Sequence, residues 1–200
     1  MGDTKPIRAF LAIELPQDTH GLIESVKERL RPALKGIRWT RAEGMHLTLR
    51  FFGNIFPDDV DRISEVVERN TGDVVPMELA LNAPGVFPSL KRPRVLWLGV
   101  GGETDRLTAL QVAIERDLEK ELGFPGEGRS FKAHLTLGRA QARGGTISGV
   151  SDLLEMAGDL SAHRFDAREL ILFRSELKPG GAVYTKLARF PFGGTRQGDG

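Results

Sequence analysis

The chain contains no cysteine, which excludes disulfides, thiolate metal sites and cysteine nucleophiles and is compatible with a reducing compartment. It also lacks an excess of either charge: 28 basic residues against 27 acidic ones leave a net charge of +1. The strong positive field that non-specific binding to long nucleic acid requires is therefore missing, and any phosphate recognition must be local. No apolar run reaches the roughly 18 to 20 residues of a membrane span. Asp3, Lys5, Arg8 and Glu14 interrupt the first fifteen positions, so a secretory leader is not expected. The reading is a cytoplasmic monomer. Neither a G-x-S-x-G elbow, a G-x-G-x-x-G turn nor a P-loop occurs, which removes the usual serine-hydrolase and nucleotide-cofactor signatures.

What is present is enough to fold: 200 residues with 40% apolar content suit one domain or two intimately packed lobes. Ile7 to Leu15, closed by Pro16, reads as a buried strand. Leu22, Ile23, Val26 and Leu30 recur at helical intervals and predict a helix from Asp18 to Leu34, ended by Gly36. A short extended piece at Trp39 and Thr40 precedes a strand from Met45 to Phe52, with a turn at Gly53 and Asn54. A helix from Pro57 to Thr71 opens on acids that suit its first turn. Strands follow at Met77 to Ala83 and Arg94 to Val100, then a helix from Leu107 to Leu122 stopped by Gly123. Lys132 to Ala140 predicts another strand, and Val150 to Met156 a short helix. The last two strands, Arg168 to Leu177 and Ala182 to Phe192, meet at a Pro179-Gly180-Gly181 turn. This order predicts an α+β fold with a pseudo-two-fold, bilobal plan: two mainly antiparallel sheets, helices on the outer faces and a central cleft. Residues 1–192 form one bilobal domain in this reading, and residues 193–200 a disordered tail.

Of four histidines, two stand in the same tetrapeptide: His46-Leu47-Thr48-Leu49 and His134-Leu135-Thr136-Leu137. A strand turns residues i and i+2 to one face, so each copy presents a histidine beside a threonine and buries both leucines. One copy alone is what any half-buried strand shows. Two copies on equivalent strands of a duplicated plan predict a cleft with two imidazoles, able to supply one general base and one general acid. Parity adds Arg50 and Phe52 to the first cleft face, and Lys132 and Gly138 to the second. Arg139 has the opposite parity and reaches the cleft only where its strand bends or ends; there it could hold a phosphate, and otherwise it is a solvated strand-end arginine. A metal is the rival use of two histidines, but the strands offer no third histidine or neighbouring carboxylate where catalytic zinc takes three protein ligands. His20 and His163 lack the paired threonine and read as surface residues. Lys91-Arg92-Pro93-Arg94 is a basic loop that is either solvated or a phosphate-backbone contact. Phe10 and Trp39 read as packing residues with a base-stacking alternative.

The twin motifs resemble those of the two-histidine phosphoesterase superfamily. RAFLAIELP from Arg8, RVLWLGV from Arg94, KAHLTLGR from Lys132 and LFRSELKPGGAVYTKLARFPF from Leu172 look like the RNA 2′,3′-cyclic phosphodiesterase branch, also called 2′-5′ RNA ligase. The resemblance spans nearly the whole chain apart from the glycine-rich tail; Ala133 stands where many relatives carry proline. It implies hydrolysis of a terminal 2′,3′-cyclic phosphate on RNA, or on a small cyclic nucleotide, to a 2′-phosphomonoester without metal or other cofactor. It further implies His134 as proton acceptor and His46 as proton donor, with Thr48, Thr136 and Arg139 on the phosphate. ATP-independent 2′-5′ ligation by the same site is one alternative, and a non-catalytic RNA- or nucleotide-binding module is another.

Overall fold

The computed structural model describes residues 5–41, 44–128, 130–142, 144–178 and 181–194. Most of the expected Pro179-Gly180-Gly181 turn, and the tail beyond Gly194, lie outside them. In chain order the elements are β1 (Ile7–Glu14), α1 (Gln17–Leu30), β2 (Ile37–Trp39), β3 (His46–Ile55), α2 (Asp59–Thr71), β4 (Met77–Phe87), β5 (Val95–Gly102), α3 (Thr104–Leu122), β6 (His134–Ala140), α4 (Leu153–Ala157), β7 (Arg164–Ala167), β8 (Glu169–Lys178) and β9 (Gly181–Pro191).

They form two antiparallel sheets of order β3-β1-β8-β9 and β2-β6-β5-β4-β7. The duplicated plan is present, but not as two consecutive halves. β1-α1-β3 and β5-α3-β6 are equivalent units, each with a first strand paired to the strand that carries its motif. The next long strand of each unit crosses over: β4, which follows β3, pairs with β5, and β8, which follows β6, pairs with β1. Each sheet is thus completed by the other half of the sequence. The strand β7, absent from the pattern-based reading, extends the second sheet.

One continuous apolar core joins both sheets to the helices. α1 contributes Ile23, Val26 and Leu30, α2 Ile63, Val66 and Val67, and α3 Leu107, Leu110, Ile114 and Leu118. All four motif leucines, Leu47, Leu49, Leu135 and Leu137, are at most 2% exposed within it, so burying these side chains fixes which way the histidines face. α1 stops at Leu30, short of Gly36, because Pro32 has no amide hydrogen with which to continue the ladder. α2 opens with Asp59 accepting a hydrogen bond from the Phe56 amide. α3 ends at Gly123 in the left-handed conformation.

β3 runs three residues past its expected end, through Gly53. Gly53 adopts φ 72, which a glycine takes at little cost. At the C-terminal end, the amide of Gly194 donates to the Val74 carbonyl, so the chain is held at least that far.

Candidate active site

Both motif strands carry a β-bulge at the same place. Opposite β1, the register passes from Ala12↔Thr48 to Leu11↔Arg50; opposite β5 it passes from Trp97↔Thr136 to Leu96↔Gly138. The extra residues are Leu49 and Leu137, and each inverts the face presented by the rest of its strand. The first face therefore continues from His46 and Thr48 to Phe51, and the second from His134 and Thr136 to Arg139. All six line a cleft of about 640 Å³ between the sheets, within the range of small-molecule sites.

This overturns part of the parity argument. Arg50 and Phe52 turn inward. The Arg50 guanidinium pairs with Glu115 and donates to the Pro125 carbonyl, and it lies over the Phe52 ring, which meets Phe124 edge-on. Gly138 also faces inward: a Cβ there would come within 2.6 Å of Ile37, so its small size serves the packing of β2 and not a ligand. Lys132 does line the cleft, with Nζ 4.3 Å from the centre of the Trp97 ring, a cation–π arrangement. Trp97 in turn lies flat over Gly85, where any Cβ would overlap its ring.

The two imidazoles are held alike at one end and differently around the ring. His134 Nδ1 lies 2.6 Å from the Lys132 carbonyl. A carbonyl only accepts, so Nδ1 carries a hydrogen and the lone pair of the neutral ring is on Nε2. His46 donates to the carbonyl of Gly44, likewise two residues upstream. Around His134 stand the edges of Phe87 and Trp97, at 5.2 and 6.2 Å. His46 instead stacks on Phe10 at 4.4 Å and meets Tyr184 edge-on at 5.2 Å. Burial in this aromatic setting lowers its pKa from 6.5 to about 4, against the opposing effect of the Gly44 hydrogen bond.

Phe10, itself 1% exposed, is thus a support for His46 and not a base platform, while Trp39 packs against the core under Arg31. Phe51, 41% exposed and 5.5 Å from Phe10, is the accessible aromatic surface in the cleft. Parity without the bulge hid it. Tyr184 also escaped sequence reasoning, although it is the only tyrosine in the chain. Its pKa is raised, mainly by burial, against the lowering effects of Arg139 and Arg8. His163 lies away from the cleft with Nε2 2.9 Å from Thr19 Oγ1, and His20 is not among the cleft residues. Among the described residues no three His, Cys, Asp or Glu side chains are grouped as a metal site would require, and no helix is long and apolar enough to cross a membrane.

Two bulged motif strands on opposed antiparallel sheets, each offering a histidine and a threonine to one cleft, define a two-histidine phosphoesterase. The chain belongs to the LigT-like phosphoesterase family, within the branch of its RNA 2′,3′-cyclic phosphodiesterase relatives. The family pattern, described as LigT like Phosphoesterase, matches residues 13–97, which include the first motif. The RNA 2′,3′-cyclic phosphodiesterase of Methanothermobacter thermautotrophicus is 31% identical over 92% of this chain and 98% of its own. That of Archaeoglobus fulgidus is 30% identical over 92% and 99%. Among solved structures, a Thermus thermophilus protein superposes with a TM-score of 0.78 at 27% identity, covering 95% of this chain and all of its own. LigT of E. coli in its apo form gives 0.74 at 24% identity over 96% and 100%, a likeness of fold.

Proposed function

We propose that the protein hydrolyses the 2′,3′-cyclic phosphate at an RNA end to a 2′-phosphomonoester, with no metal, using His134 as base and His46 as acid. The observation that carries this reading is the pair of imidazoles on facing strands. Each ring is oriented through a carbonyl two residues upstream, and the contact of His134 Nδ1 with the Lys132 carbonyl leaves the lone pair of the neutral ring on Nε2. His134 Nε2 takes a proton from water as its oxygen attacks phosphorus. The P–O3′ bond breaks, and His46 gives its proton to the departing 3′ oxygen. In-line displacement needs base and acid on opposite sides of the phosphate, which two opposed strands supply. Thr48 and Thr136 donate to the non-bridging oxygens, where charge grows in the transition state; a donor so placed is worth about 2.7 to 4 kcal/mol. Arg139 supplies a counter-charge. The division of roles between the histidines follows the family resemblance.

The depressed pKa of His46 bears on its role as acid. At neutral pH the free protein holds this ring uncharged, so it takes its proton from solvent when the substrate binds and the phosphate's negative charge stabilises the imidazolium.

The test is incubation with an oligonucleotide ending in a 2′,3′-cyclic phosphate, with and without EDTA, and phosphorus NMR of the product. Undiminished turnover to the 2′-monoester is expected in both arms. A 3′-monoester product would refute the geometry of attack, and abolition by EDTA would refute the metal-free mechanism.

A further inference from the structure

The cleft is not symmetric end to end. The Phe51 amide donates to Glu127, and Ser130, Phe131 and Lys132 also line the cleft, so this part of the lining mixes acidic, polar, aromatic and basic groups. Toward Arg139 it becomes basic. Arg38 on β2 is the direct cross-strand partner of Arg139 on β6, so two guanidinium groups share one face at adjacent positions. Like charges directly opposite one another in a sheet are destabilising. Arg8, on the cleft face of β1 by its alternation with Phe10, brings a third: Arg8 and Arg139 both act on the Tyr184 hydroxyl, and Arg8 and Arg38 both act on Arg139. Several arginines elsewhere on the surface are neutralised, as Arg164 is by Glu78, Arg168 by Asp166 and Arg189 by Glu169. Among the described residues none of Arg8, Arg38 and Arg139 has a carboxylate partner. An exposed cluster of three cations that repel one another is stabilised by an anion that bridges them.

That anion is not the reacting phosphate alone. Arg139 lies three residues beyond Thr136 on the same strand, about 10 Å at roughly 3.3 Å per residue, and Arg38 is one strand further out by about 5 Å. We propose that Arg8 and Arg38, with Arg139 shared between the two sites, form a second subsite for the phosphodiester on the 5′ side of the cyclic end, so that the protein favours an RNA end over a free cyclic nucleotide. This rests on the proposed function. It gives the cleft a direction, with the chain leaving over the arginines and the terminal nucleotide lying toward Phe51.

The experiment compares three substrates: a nucleoside 2′,3′-cyclic phosphate, a dinucleotide with the same cyclic end, and that dinucleotide with a neutral methylphosphonate linkage. The expected kcat/KM is at least tenfold higher for the charged dinucleotide than for the other two. Arg38→Gln and Arg8→Gln are each expected to lower the dinucleotide value three- to tenfold and to leave the mononucleotide value within twofold. Arg168→Gln, which removes a cation elsewhere, is expected to change neither. Loss of activity on all three substrates alike in the two variants would overturn the subsite, as would equal rates on charged and neutral linkages. Binding of a mononucleotide 2′-phosphate and a dinucleotide 2′-phosphate, measured by calorimetry, separates this from the reaction itself. A protein that hydrolyses nothing but binds the dinucleotide more tightly through Arg8 and Arg38 refutes the hydrolase reading and keeps the subsite. Equal affinities in the wild type refute the subsite.

Discussion

Enclosing His46 between Phe10 and Tyr184 makes a proton expensive there, and the sign of the effect on stability follows. The folded-state pKa of about 4 lies below the ordinary 6.5, so as pH falls the unfolded chain takes up the proton first. The neutral ring's stability is complete above about pH 6.5 and is lost progressively between 6.5 and 4, a loss of up to about 3 kcal/mol at roughly 1.4 kcal/mol per unit. In His46→Phe, which keeps the stack and removes the titration, urea midpoints are expected to vary less over that window than in the parent. With four histidines in the chain, NMR can follow each ring separately. His46 is expected to titrate near pH 4 in the free protein and higher when sulfate, whose charge is constant in this range, fills the cleft. Titration near 6.5 in the free protein would show that the aromatic surroundings do not disfavour the charged ring. Turnover requires one imidazole charged and the other neutral, so kcat, which reports the groups in the substrate complex where the phosphate stabilises the His46 imidazolium, should be bell-shaped in pH, and His46→Ala and His134→Ala should each lower kcat by about 10² or more. A monotonic profile from pH 5 to 9, or near-normal activity in either variant, would remove the acid–base pair. The pair itself was legible in the sequence because the tetrapeptide repeats. The environment that separates the two rings was not, because Phe10 and Tyr184 come from strands remote in sequence.

At the scale of the element, the bulges decide which side chains serve the cleft. Strict alternation assigned Arg50 and Phe52 to it and left Arg139 conditional; the extra residue at Leu49 and Leu137 replaces the first two with Phe51 and delivers the third. No local signal marks these bulges, since each inserted residue is an ordinary buried leucine and the shift is created by pairing with a distant strand. Strict alternation puts Gly138 on the cleft face, whereas it makes room for Ile37 and for the close approach of the Arg38 backbone. Gly138→Ala is therefore expected to lose about 1 to 3 kcal/mol through overpacking and to lower turnover by displacing Arg139, which is adjacent. Ile37→Ala removes the two nearest atoms that a Cβ would meet and leaves the Arg38 carbonyl, at 3.0 Å. In a double-mutant cycle the two changes should couple, the pair being less destabilised than the sum of the singles. Additivity within about 0.5 kcal/mol would mean that the Arg38 backbone, and not Ile37, sets the limit at Gly138.

At the scale of the whole molecule, the crossing of β4 and β8 ties the lobes together. The sequence supported two lobes and a pseudo-two-fold, because helix and strand periods survive in local windows; it could not show that each half donates a strand to the other, which depends on long-range pairing. The consequence is thermodynamic. If each lobe were a consecutive half of the chain, one could unfold while the other persisted. Here removing β8 strips the first sheet of the strand that joins β1 to β9, and removing β4 separates β5 from β7 in the second. The single core that both sheets share adds to this coupling. Unfolding is expected to be one cooperative transition. Trp39 and Trp97 both sit on the five-stranded sheet, so their fluorescence reports that lobe. A reporter at Phe173→Trp, on β8 beside Phe10, in a Trp39→Phe, Trp97→Phe background, reports the other. The two urea midpoints should each coincide with that of far-ultraviolet dichroism measured on the same variant, as two-state unfolding requires. Core variants should carry the coupling across: Leu135→Ala, in the second sheet, is expected to cost about 2 to 5 kcal/mol and, introduced into the Phe173→Trp reporter protein, to lower the midpoint read from the first. A midpoint at that reporter unmoved by Leu135→Ala would show that the lobes unfold separately despite the exchanged strands.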